Sequence, residues 1–570
     1  MQKQYVYRML LLALLIGMAG QQNFAQSSAD LVLLNGRVWT GLQDDPSAQA
    51  IAIRGNRIVR VGTDAEIKKL AGKQTQLINL DGRLVMPGFN DAHIHFLGGA
   101  MGLTEVDLTD AATVEELTKR VTEYVREHPN AAWITGRGWE YYPFPNGLPT
   151  KEMLDAVVAD RPVFLRAYDG HSAWANSRAL QLAGVGRETK FDGFGEIVRD
   201  ASGDPTGAFK EGAQNLVARL IPAPTREQKL QALRDGLKLA ASLGMTSLQN
   251  ASGSPEELAL YAELLQKGEL TTRASIAFSV NPKTTPEQLQ QFAALKKQYD
   301  KNALLRAGAV KFVLDGVIES HTAAMLEPYS DGTTTKGDLS WPATAYQERV
   351  AQIDKLGLQI YTHAIGDRAV GVALDAYENA QRVNQLKDRR FRIEHIETLA
   401  ASDIPRFAKL GVLASMEPIH AYPSTIDVWS RAIGVERTQR GFAWAQLQRS
   451  GARLVFSSDW PASISVDPIR GIHNAVNRRT IDGQPPQGWL PEHRVSLATA
   501  LRSYTAEGAY ASFTEKEKGT IAPGKLADVI VLSQNLFTID PMNIHEARVV
   551  LTICDGKVTY RDNAQFARKP

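Results

Sequence analysis

Six side chains that can hold a metal ion or move a proton are spread along this chain, five of them near the end of a short apolar run and one, Lys311, within such a run. Imidazole nitrogens and carboxylate oxygens are common ligands of divalent transition metals in proteins. Only 11 histidines occur in 570 residues, so four at such positions are informative. The set that we expect to meet in one site comprises His93, His95, Lys311, His363, His395 and Asp459.

The spacing of these residues adds to their chemistry. His93 and His95 flank a single residue, so the alternation of a strand puts both side chains on one face. A His-x-His pair also arises by chance, and a lone histidine in a barrel is often a hydrogen-bonded structural residue. An ammonium group has no acceptor, so Lys311 cannot bind a metal as such, and the alternative is an ordinary strand residue. The joint placement of all six at different strand ends favours a metal centre.

Apolar runs that alternate with helical patterns must supply those strand ends. Seven runs follow residue 240, at 246–250, 273–280, 310–315, 358–363, 391–395, 412–416 and 453–458. An eighth, at 84–95 with a Pro87-Gly88 bend, comes much earlier. Eight such strands predict an α/β protein with a TIM (β/α)8 barrel, whose active site lies at the carboxyl ends of the strands.

About 150 residues separate the first strand from the second, far more than a crossover helix needs. We therefore predict a large inserted subdomain at about 100–240. A set of its aromatic residues lies close together in sequence: Trp133, Trp139, Tyr141, Tyr142, Phe144, Tyr168 and Trp174. We favour a core of the insertion itself for most of them over the wall of a substrate pocket.

The two ends of the chain are rich in short β patterns. Segments within 30–81 and 527–560 alternate apolar runs with glycine-containing turns. We predict that 30–83 and 506–570 pair into one small β-sandwich, with the metal-binding barrel at 84–505.

The amino terminus has the features of an export signal at 1–25. Lys3 and Arg8 precede a twelve-residue apolar run, which is too short to span a bilayer comfortably. The alternative is an uncleaved membrane anchor, since Asn23 is not the small residue that a cleavage site prefers. Cys554 is the only cysteine, which excludes an intrachain disulfide. We predict a periplasmic or secreted protein that makes no stable membrane association after the signal is removed.

The charge balance limits the classes of partner. Lys and Arg total 64 against 62 acidic residues, and removal of the signal leaves 62 against 62. Such a balance argues against nucleic acid or an anionic membrane as the main partner. We expect a small-molecule substrate, whereas the oligomeric state is not readable from the sequence.

Four segments resemble the metal-dependent amidohydrolase superfamily, and within it amidohydrolase family 3, which includes N-substituted formamide deformylases. They are Pro-Gly-Phe-Asn-Asp-Ala-His-Ile-His at 87–95, Asp-Gly-His-Ser-Ala-Trp at 169–174, His-Ala-Ile-Gly-Asp-Arg-Ala at 363–369, and Gly-Thr-Ile-Ala-Pro-Gly-Lys-Leu-Ala-Asp at 519–528. The resemblance runs from about residue 30 to the end of the chain.

The resemblance implies a binuclear site. Carbon dioxide would convert Lys311 to a carbamate that bridges two divalent metal ions. His93, His95 and Asp459 would bind the more buried ion, and His363 and His395 the other. Zinc suits these ligands best, although iron, manganese or cobalt would also fit. A water between two cations is acidified, Asp459 is placed to take its proton, and the expected reaction is hydrolysis of an amide or formamide C–N bond.

Several neighbours of the predicted ligands have two interpretations. His171 either donates a hydrogen bond to the substrate carbonyl, as a second catalytic residue beside Asp459, or is structural. Asp367 either orients a ligand or makes a surface salt bridge. Parity along the sixth strand predicts that Arg392 and Glu394 face outward. His321 and Glu417 follow barrel strands, where many relatives carry Arg and Gln respectively, and could contact substrate.

Two other functions stay open. One is a mononuclear deaminase of the same superfamily, although such enzymes carry Glu three residues after the fifth-strand histidine, where this chain has Gly366. The other is a non-catalytic, metal-binding exported protein. The identity of the substrate is not readable, because one fold with one metal site serves many substrates.

Overall fold

A parallel eight-stranded barrel forms the centre of the computed structural model, which describes residues 28–423 and 425–567. Its strands are β1 (Phe89–Ile94), β2 (Met245–Gly253), β3 (Arg273–Ser279), β4 (Leu305–Val313), β5 (Gln359–Ala364), β6 (Arg392–His395), β7 (Leu413–Met416) and β8 (Leu454–Phe456). Each strand pairs in parallel with its neighbours in this order. The prediction of an α/β fold with a parallel barrel is confirmed.

The barrel is nearly closed by contacts just beyond its first and last strands. The Asp459 amide donates to the His93 carbonyl at 2.8 Å, and the His95 amide donates to the Trp460 carbonyl at 2.7 Å. These two hydrogen bonds bring the ends of β1 and β8 together, which places the first and last predicted ligands side by side.

Helices alternate with the barrel strands, and all but the last of them share one hydrophobic core with the strands. The helices are Phe96–Gly102, Arg226–Ser242, Pro255–Gln266, Pro286–Tyr299, Ala343–Lys355, Asp367–Asn384, Ile404–Leu410, Ile426–Thr438, Trp444–Arg449, Pro468–Asn477, Leu497–Ser503 and Ala506–Ala511. None of the helices in the described part of the chain is long and apolar enough to cross a membrane. The predicted signal, 1–25, lies outside the described residues.

The predicted first strand is two strands that belong to different sheets. Leu84–Pro87 pairs with strands from both ends of the chain, and the barrel strand begins only at Phe89. Gly88 lies at the junction, where a Cβ atom would come within 2.2 Å of the Thr246 side chain. The predicted limit at residue 83 therefore misses Leu84–Pro87.

The chain termini form two further sheets. One has the order Arg57–Gly62, Ala50–Arg54, Ala29–Leu34 and Ala71–Asn79, and the other has Arg37–Val38, Leu84–Pro87, Val529–Leu532, Val549–Cys554 and Lys557–Arg561. Short helices lie at Asp64–Lys68 and Asn563–Ala567. Leu33 and Ile51 of the first sheet share a buried cluster with Val85 and Val531 of the second. Residues 506–511, which we predicted to be part of the sandwich, instead form a helix.

The segment between β1 and β2 contains a separate six-stranded sheet. Its order is Gly195–Arg199, Pro205–Glu211, Ser172–Ala175, Val163–Ala167, Ile134–Trp139 and Val106–Asp107. Its helices are Val114–Glu127, Lys151–Asp155, Ser177–Ala183 and Asn215–Ala218. Trp139, Phe144 and Trp174 lie in one buried cluster with Ile419 and Tyr422 from the loop after β7. These aromatic side chains are thus core residues, and their core joins the inserted sheet to the barrel.

Candidate metal centre

The six predicted residues lie at the carboxyl end of the barrel. His93 and Lys311 lie on β1 and β4, His363 lies on β5, and His395 ends β6. His95 directly follows β1, and Asp459 is the third residue after β8. All except His95 are almost fully buried, whereas 31% of the His95 side chain is exposed. The structure therefore brings residues that are up to 366 positions apart into one cluster, since the carboxyl ends of parallel strands share one edge.

Asp459 lies between the histidines. Its Oδ1 is 3.3 Å from His93 Nε2 and 3.1 Å from His95 Nε2, and its Oδ2 is 3.8 Å from His395 Nδ1. Among the described residues, the buried Oδ1 accepts no hydrogen bond. Ligand atoms of His93, His395 and Asp459 all lie within 4.8 Å of one another. A buried carboxylate oxygen without a donor, facing imidazole nitrogens, fits the ligand set of a divalent cation.

A second group adjoins the first. The rings of His363 and His395 have centroids 4.6 Å apart, and those of His93 and His395 are 5.0 Å apart. The Lys311 Nζ atom lies 3.1 Å from His93 Nε2. His363 Nε2 lies 3.1 Å from the Gly316 carbonyl oxygen. The four imidazoles and the lysine therefore form one contiguous group of side chains around Asp459.

The prediction that Arg392 and Glu394 face outward is wrong. Both are fully buried, and Arg392 donates to Glu394 at 2.8 and 2.9 Å. Ile393 lies instead in the core that the barrel shares with its helices. His395 has a φ of +75°, so a left-handed backbone turns its ring into the barrel mouth although its parity matches Ile393. Alternation failed here because the backbone bend falls on His395, the last residue of the strand.

Glu394 positions a predicted ligand from inside the barrel. Its Oε2 lies 2.6 Å from His93 Nδ1, which leaves Nε2 of the same ring toward Asp459. Burial favours the neutral acid, but Arg392 and His93 outweigh it and hold the pKa of Glu394 well below its usual value. An anionic partner on Nδ1 fixes the tautomer and orientation of a ligand histidine.

The electrostatics keep the ligand atoms available. Burial and neighbouring positive charge hold the pKa values of His363 and His395 well below the usual range, so both rings are neutral. Burial lowers the pKa of Lys311 as well. Burial also opposes ionisation of Asp459, but His93 and His95 hold its pKa well below the usual value. The site thus contains a carboxylate beside the neutral imidazoles of His363 and His395.

His171 reaches this centre from the inserted sheet. Its ring centroid lies 5.4 Å from that of His363, and its Nδ1 lies 2.9 Å from Glu211 Oε2. Thr322 donates to Glu211 Oε1 at 2.6 Å. Burial opposes protonation of His171, but Glu211 outweighs it and raises the pKa of His171 to about 10. Glu211 could not be predicted from the sequence, because only the antiparallel pairing of Ser172–Ala175 with Pro205–Glu211 brings it to His171.

Glu417 and His420 extend the cluster after β7. Glu417 is 1% exposed, with Oε2 at 2.9 Å from His395 Nδ1 and Oε1 accepting from Ser457 at 2.9 Å. It therefore positions His395, and the predicted substrate contact does not fit this enclosed place. His420, which the sequence analysis did not single out, stacks on His395 with centroids 5.8 Å apart and lies 3.6 Å from Asp459 Oδ2. Its place after a barrel strand was the available signal.

Two other predicted neighbours lie outside the centre. Asp367 is buried and accepts the Leu326 amide at 2.8 Å, so it neither orients His363 nor makes a surface salt bridge. His321 has a φ of +61° and its Nε2 lies 2.5 Å from Asp331 Oδ2. Both residues thus stabilise the long segment between β4 and Ala343–Lys355, His321 from within the segment and Asp367 from the helix that follows β5.

Comparisons with known proteins agree with this geometry. A model of the amidohydrolase family matches residues 76–560. Protein LONG AFTER FAR-RED 3 of Arabidopsis thaliana is 33% identical, with 93% of this chain and 92% of that protein covered. N-substituted formamide deformylase of Arthrobacter pascens is 27% identical, with 93% and 98% covered. A crystal structure of an uncharacterised metal-dependent hydrolase from Pyrococcus furiosus is 29% identical and covers 90% of this chain and 99% of its own, with a TM-score of 0.68.

The match spans the barrel, the inserted sheet and most of the second terminal sheet. The ligand-type residues cluster at the end of the barrel where such enzymes carry out their chemistry. The chain therefore belongs to the amidohydrolase family, within amidohydrolase family 3, and is a metal-dependent hydrolase of that superfamily.

Proposed function

We propose that this chain is an exported hydrolase that binds two divalent metal ions and cleaves the C–N bond of an amide or formamide. The observation that carries the proposal is the unpaired Oδ1 of Asp459 between His93 and His95, with His363 and His395 beside it. The likeness to N-substituted formamide deformylase supports the choice of bond.

The residues fit two ions that share ligands. His93, His95 and Asp459 would hold one ion, and His363 and His395 the other. Lys311 would bridge them after its nitrogen forms a bond to the carbon of carbon dioxide and releases a proton, which leaves an anionic carbamate. Zinc fits this set of nitrogen and oxygen ligands. When bound, such a pair of ions supplies positive charge that acidifies water and polarises a carbonyl group.

The protein's own side chains handle the proton and the carbonyl oxygen. Asp459 takes a proton from the attacking water and returns it to the leaving nitrogen. His171 donates from Nε2 to the carbonyl oxygen as negative charge develops there, while Glu211 holds its Nδ1. Glu394 and Glu417 keep His93 and His395 in orientation.

Gly366 argues against a mononuclear deaminase. A Cβ atom at this position would lie 2.1 Å from the Ala324 carbonyl oxygen, so the glutamate that such enzymes carry has no space here. A non-catalytic metal-binding protein stays the second candidate, and turnover separates it from a hydrolase.

The predictions of export and of the class of partner rest on the sequence, namely on residues 1–25 and on the charge balance. We place the mature protein in the periplasm or outside the cell, with a small-molecule substrate, no nucleic-acid partner and no stable membrane association. Fractionation of cells that express the full chain or a 1–25 deletion tests the location. Retention of the full chain in the cytoplasm would contradict it.

The central experiment combines metal content with turnover. Mature protein is purified without chelators and with bicarbonate, its metal is quantified, and N-formyl, N-acyl, ester and lactone compounds are screened. We expect about two ions per chain, because two cations that share one water activate it together. With N-formyl and N-acyl compounds we expect release of the amine together with formate or another carboxylate. His363→Gln should lose metal and turnover, whereas His128→Gln, which alters an exposed histidine stacked on Tyr124, should keep both. Inert protein with full metal content would favour the non-catalytic alternative.

A further inference from the structure

Two arginines lie side by side in the inserted sheet. Arg137 belongs to Ile134–Trp139 and Arg166 to Val163–Ala167, and the register of these parallel strands makes the two residues direct partners. Both side chains are partly buried. Like charges directly opposite each other on adjacent strands destabilise a sheet, so the sheet's own stability does not account for the pair.

Acidic residues lie near the two guanidinium groups. Asp107 is the strand partner of Arg137 on its other side and acts on its pKa, but the Asp107 carboxylate accepts from the Thr109 amide at 2.9 Å. In the part of the chain that the structure describes, neither guanidinium makes an ion pair. Arg137 donates one hydrogen bond, to the Tyr168 carbonyl at 3.3 Å, and Arg166 lies over the Phe164 ring at 5.1 Å. Glu105 acts on the pKa of both arginines, but its carboxylate accepts from Thr135 instead.

Burial leaves this positive charge poorly solvated. It lowers the pKa of Arg137 to about 10 and shifts that of Arg166 in the same direction. On its other side Arg166 has Ala173 as its strand partner, which offers no charge. Two half-buried cations that make no ion pair with any described residue are costly unless an anion joins them.

Arg137 is the member of the pair that borders the metal centre. The Tyr168 carbonyl that accepts from Arg137 begins the turn that ends at His171, whose ring lies 5.4 Å from that of His363. Arg137 Cδ lies 3.0 Å from where a Cβ on Gly102 would stand, and Gly102 ends the helix that starts directly after His95. The Asp459 carboxylate is close enough to act on the pKa of Arg137.

We propose, resting on the hydrolase function above, that Arg137 and Arg166 bind an anionic oxygen group of the substrate while its amide lies at the metal centre. Guanidinium groups present planar forks of N–H donors that match a carboxylate or a phosphate. The preferred substrates are therefore N-formyl or N-acyl amines that carry such a group on the amine portion.

Matched substrate pairs test the proposal. N-formyl-aminohexanoate is compared with N-hexylformamide, and formamidohexyl phosphate serves as the second anion. We expect wild-type kcat/KM to be about 10- to 100-fold higher for an anion, through KM, since hydrogen bonds to charged groups contribute that much. The better of the two anions identifies the group. Equal values for anionic and neutral substrates would overturn the proposal.

The arginine variants locate the preference. Arg137→Gln and Arg166→Gln should raise KM for the anionic substrate about tenfold and leave kcat/KM for N-hexylformamide unchanged. Arg187→Gln, in an exposed pair with Asp204 of the same insertion, should keep the wild-type preference. Equal losses for charged and neutral substrates would show a structural role and reject the anion site.

A binding measurement separates this proposal from the hydrolase function. Calorimetry with hexanoate and with hexanol needs no turnover, and we expect about tenfold weaker hexanoate binding after Arg137→Gln. Such a loss, without hydrolysis of any compound in the panel, would support the anion site and reject the hydrolase. Turnover with the same hexanoate affinity in wild type and variant would reject the anion site alone.

Discussion

The buried charges at the two ends of the barrel differ in how completely they are hydrogen-bonded. At the amino end, Arg273 donates to Asp528 at 2.7 and 2.9 Å, to Asp555 at 2.8 Å and to the Ala303 carbonyl at 2.8 Å. At the carboxyl end, Asp459 has a buried oxygen that accepts no hydrogen bond from any described residue. One network is complete within the protein, and the other is incomplete until something binds.

This difference separates stability from function. A buried ion pair with all its hydrogen bonds made resists the removal of either partner, because the partner left behind would be unpaired. An unsatisfied group in a folded core costs free energy, and such groups are tolerated at sites that a ligand completes. The amino end should therefore control unfolding, and the carboxyl end should control catalysis.

The largest expected effect is at the carboxyl end. Asp459→Asn removes both a metal ligand and the proton acceptor, so kcat/KM should fall about 10⁴-fold, or ~5 kcal/mol of transition-state stabilisation. The free energy of unfolding of metal-free protein should fall by less than this, because no hydrogen bond to Oδ1 is lost and only the charge interaction of Asp459 with His93 and His95 is removed. Steady-state kinetics and thermal unfolding measure the two effects. Retained activity would remove Asp459 from the mechanism.

Breaking the amino-end network should have the converse effect. Arg273→Met leaves Asp528 buried without its partner and should lower the free energy of unfolding by about 3 to 4 kcal/mol. Activity well below the unfolding midpoint should stay at the wild-type level. Urea denaturation and kinetics at one temperature test this. A matched double variant, Arg273→Met with Asp528→Leu, should recover much of the loss because no unpaired charge remains.

Metal removal should act only on the carboxyl end. If the ions bind the folded state alone, free metal at 100 times its Kd stabilises by about 2.7 kcal/mol per site, and a chelator removes that contribution. The same decrement should appear in wild type and in Arg273→Met, because distant sites are additive. Thermal unfolding with and without chelator measures it. A decrement that Arg273→Met abolishes would show that the two ends are coupled.

The smallest expected effect is on stability, at an exposed ion pair that serves as a reference for the buried groups at both ends of the barrel. Arg187 and Asp204 form a surface pair at 2.9 Å, with side chains 56% and 45% exposed. Arg187→Gln should change the free energy of unfolding by less than about 1 kcal/mol, because exposed ion pairs contribute little. Urea denaturation checks this value. A loss as large as that of Arg273→Met would undo the contrast between buried and exposed pairs.

The sequence alone determined the barrel and the six members of the cluster. Strand and helix periods are local properties of the chain, and parallel strands bring their carboxyl ends to one edge whatever separates them in sequence. His93 and His363 could therefore be assigned to one site without knowledge of their contacts. The family was readable for the same reason, from local segments such as 87–95.

Only the tertiary structure decided the contacts that adjust this site. The left-handed backbone of His395 puts its ring on the same side as Arg392 and Glu394, which lie inside the barrel and not outside it as alternation predicted. Glu211 meets His171, and Arg137 meets Arg166, through strand pairings inside an insertion whose fold no periodic pattern predicted. Backbone bends and non-local pairings depend on the packing of the whole chain, so local alternation carries no record of them.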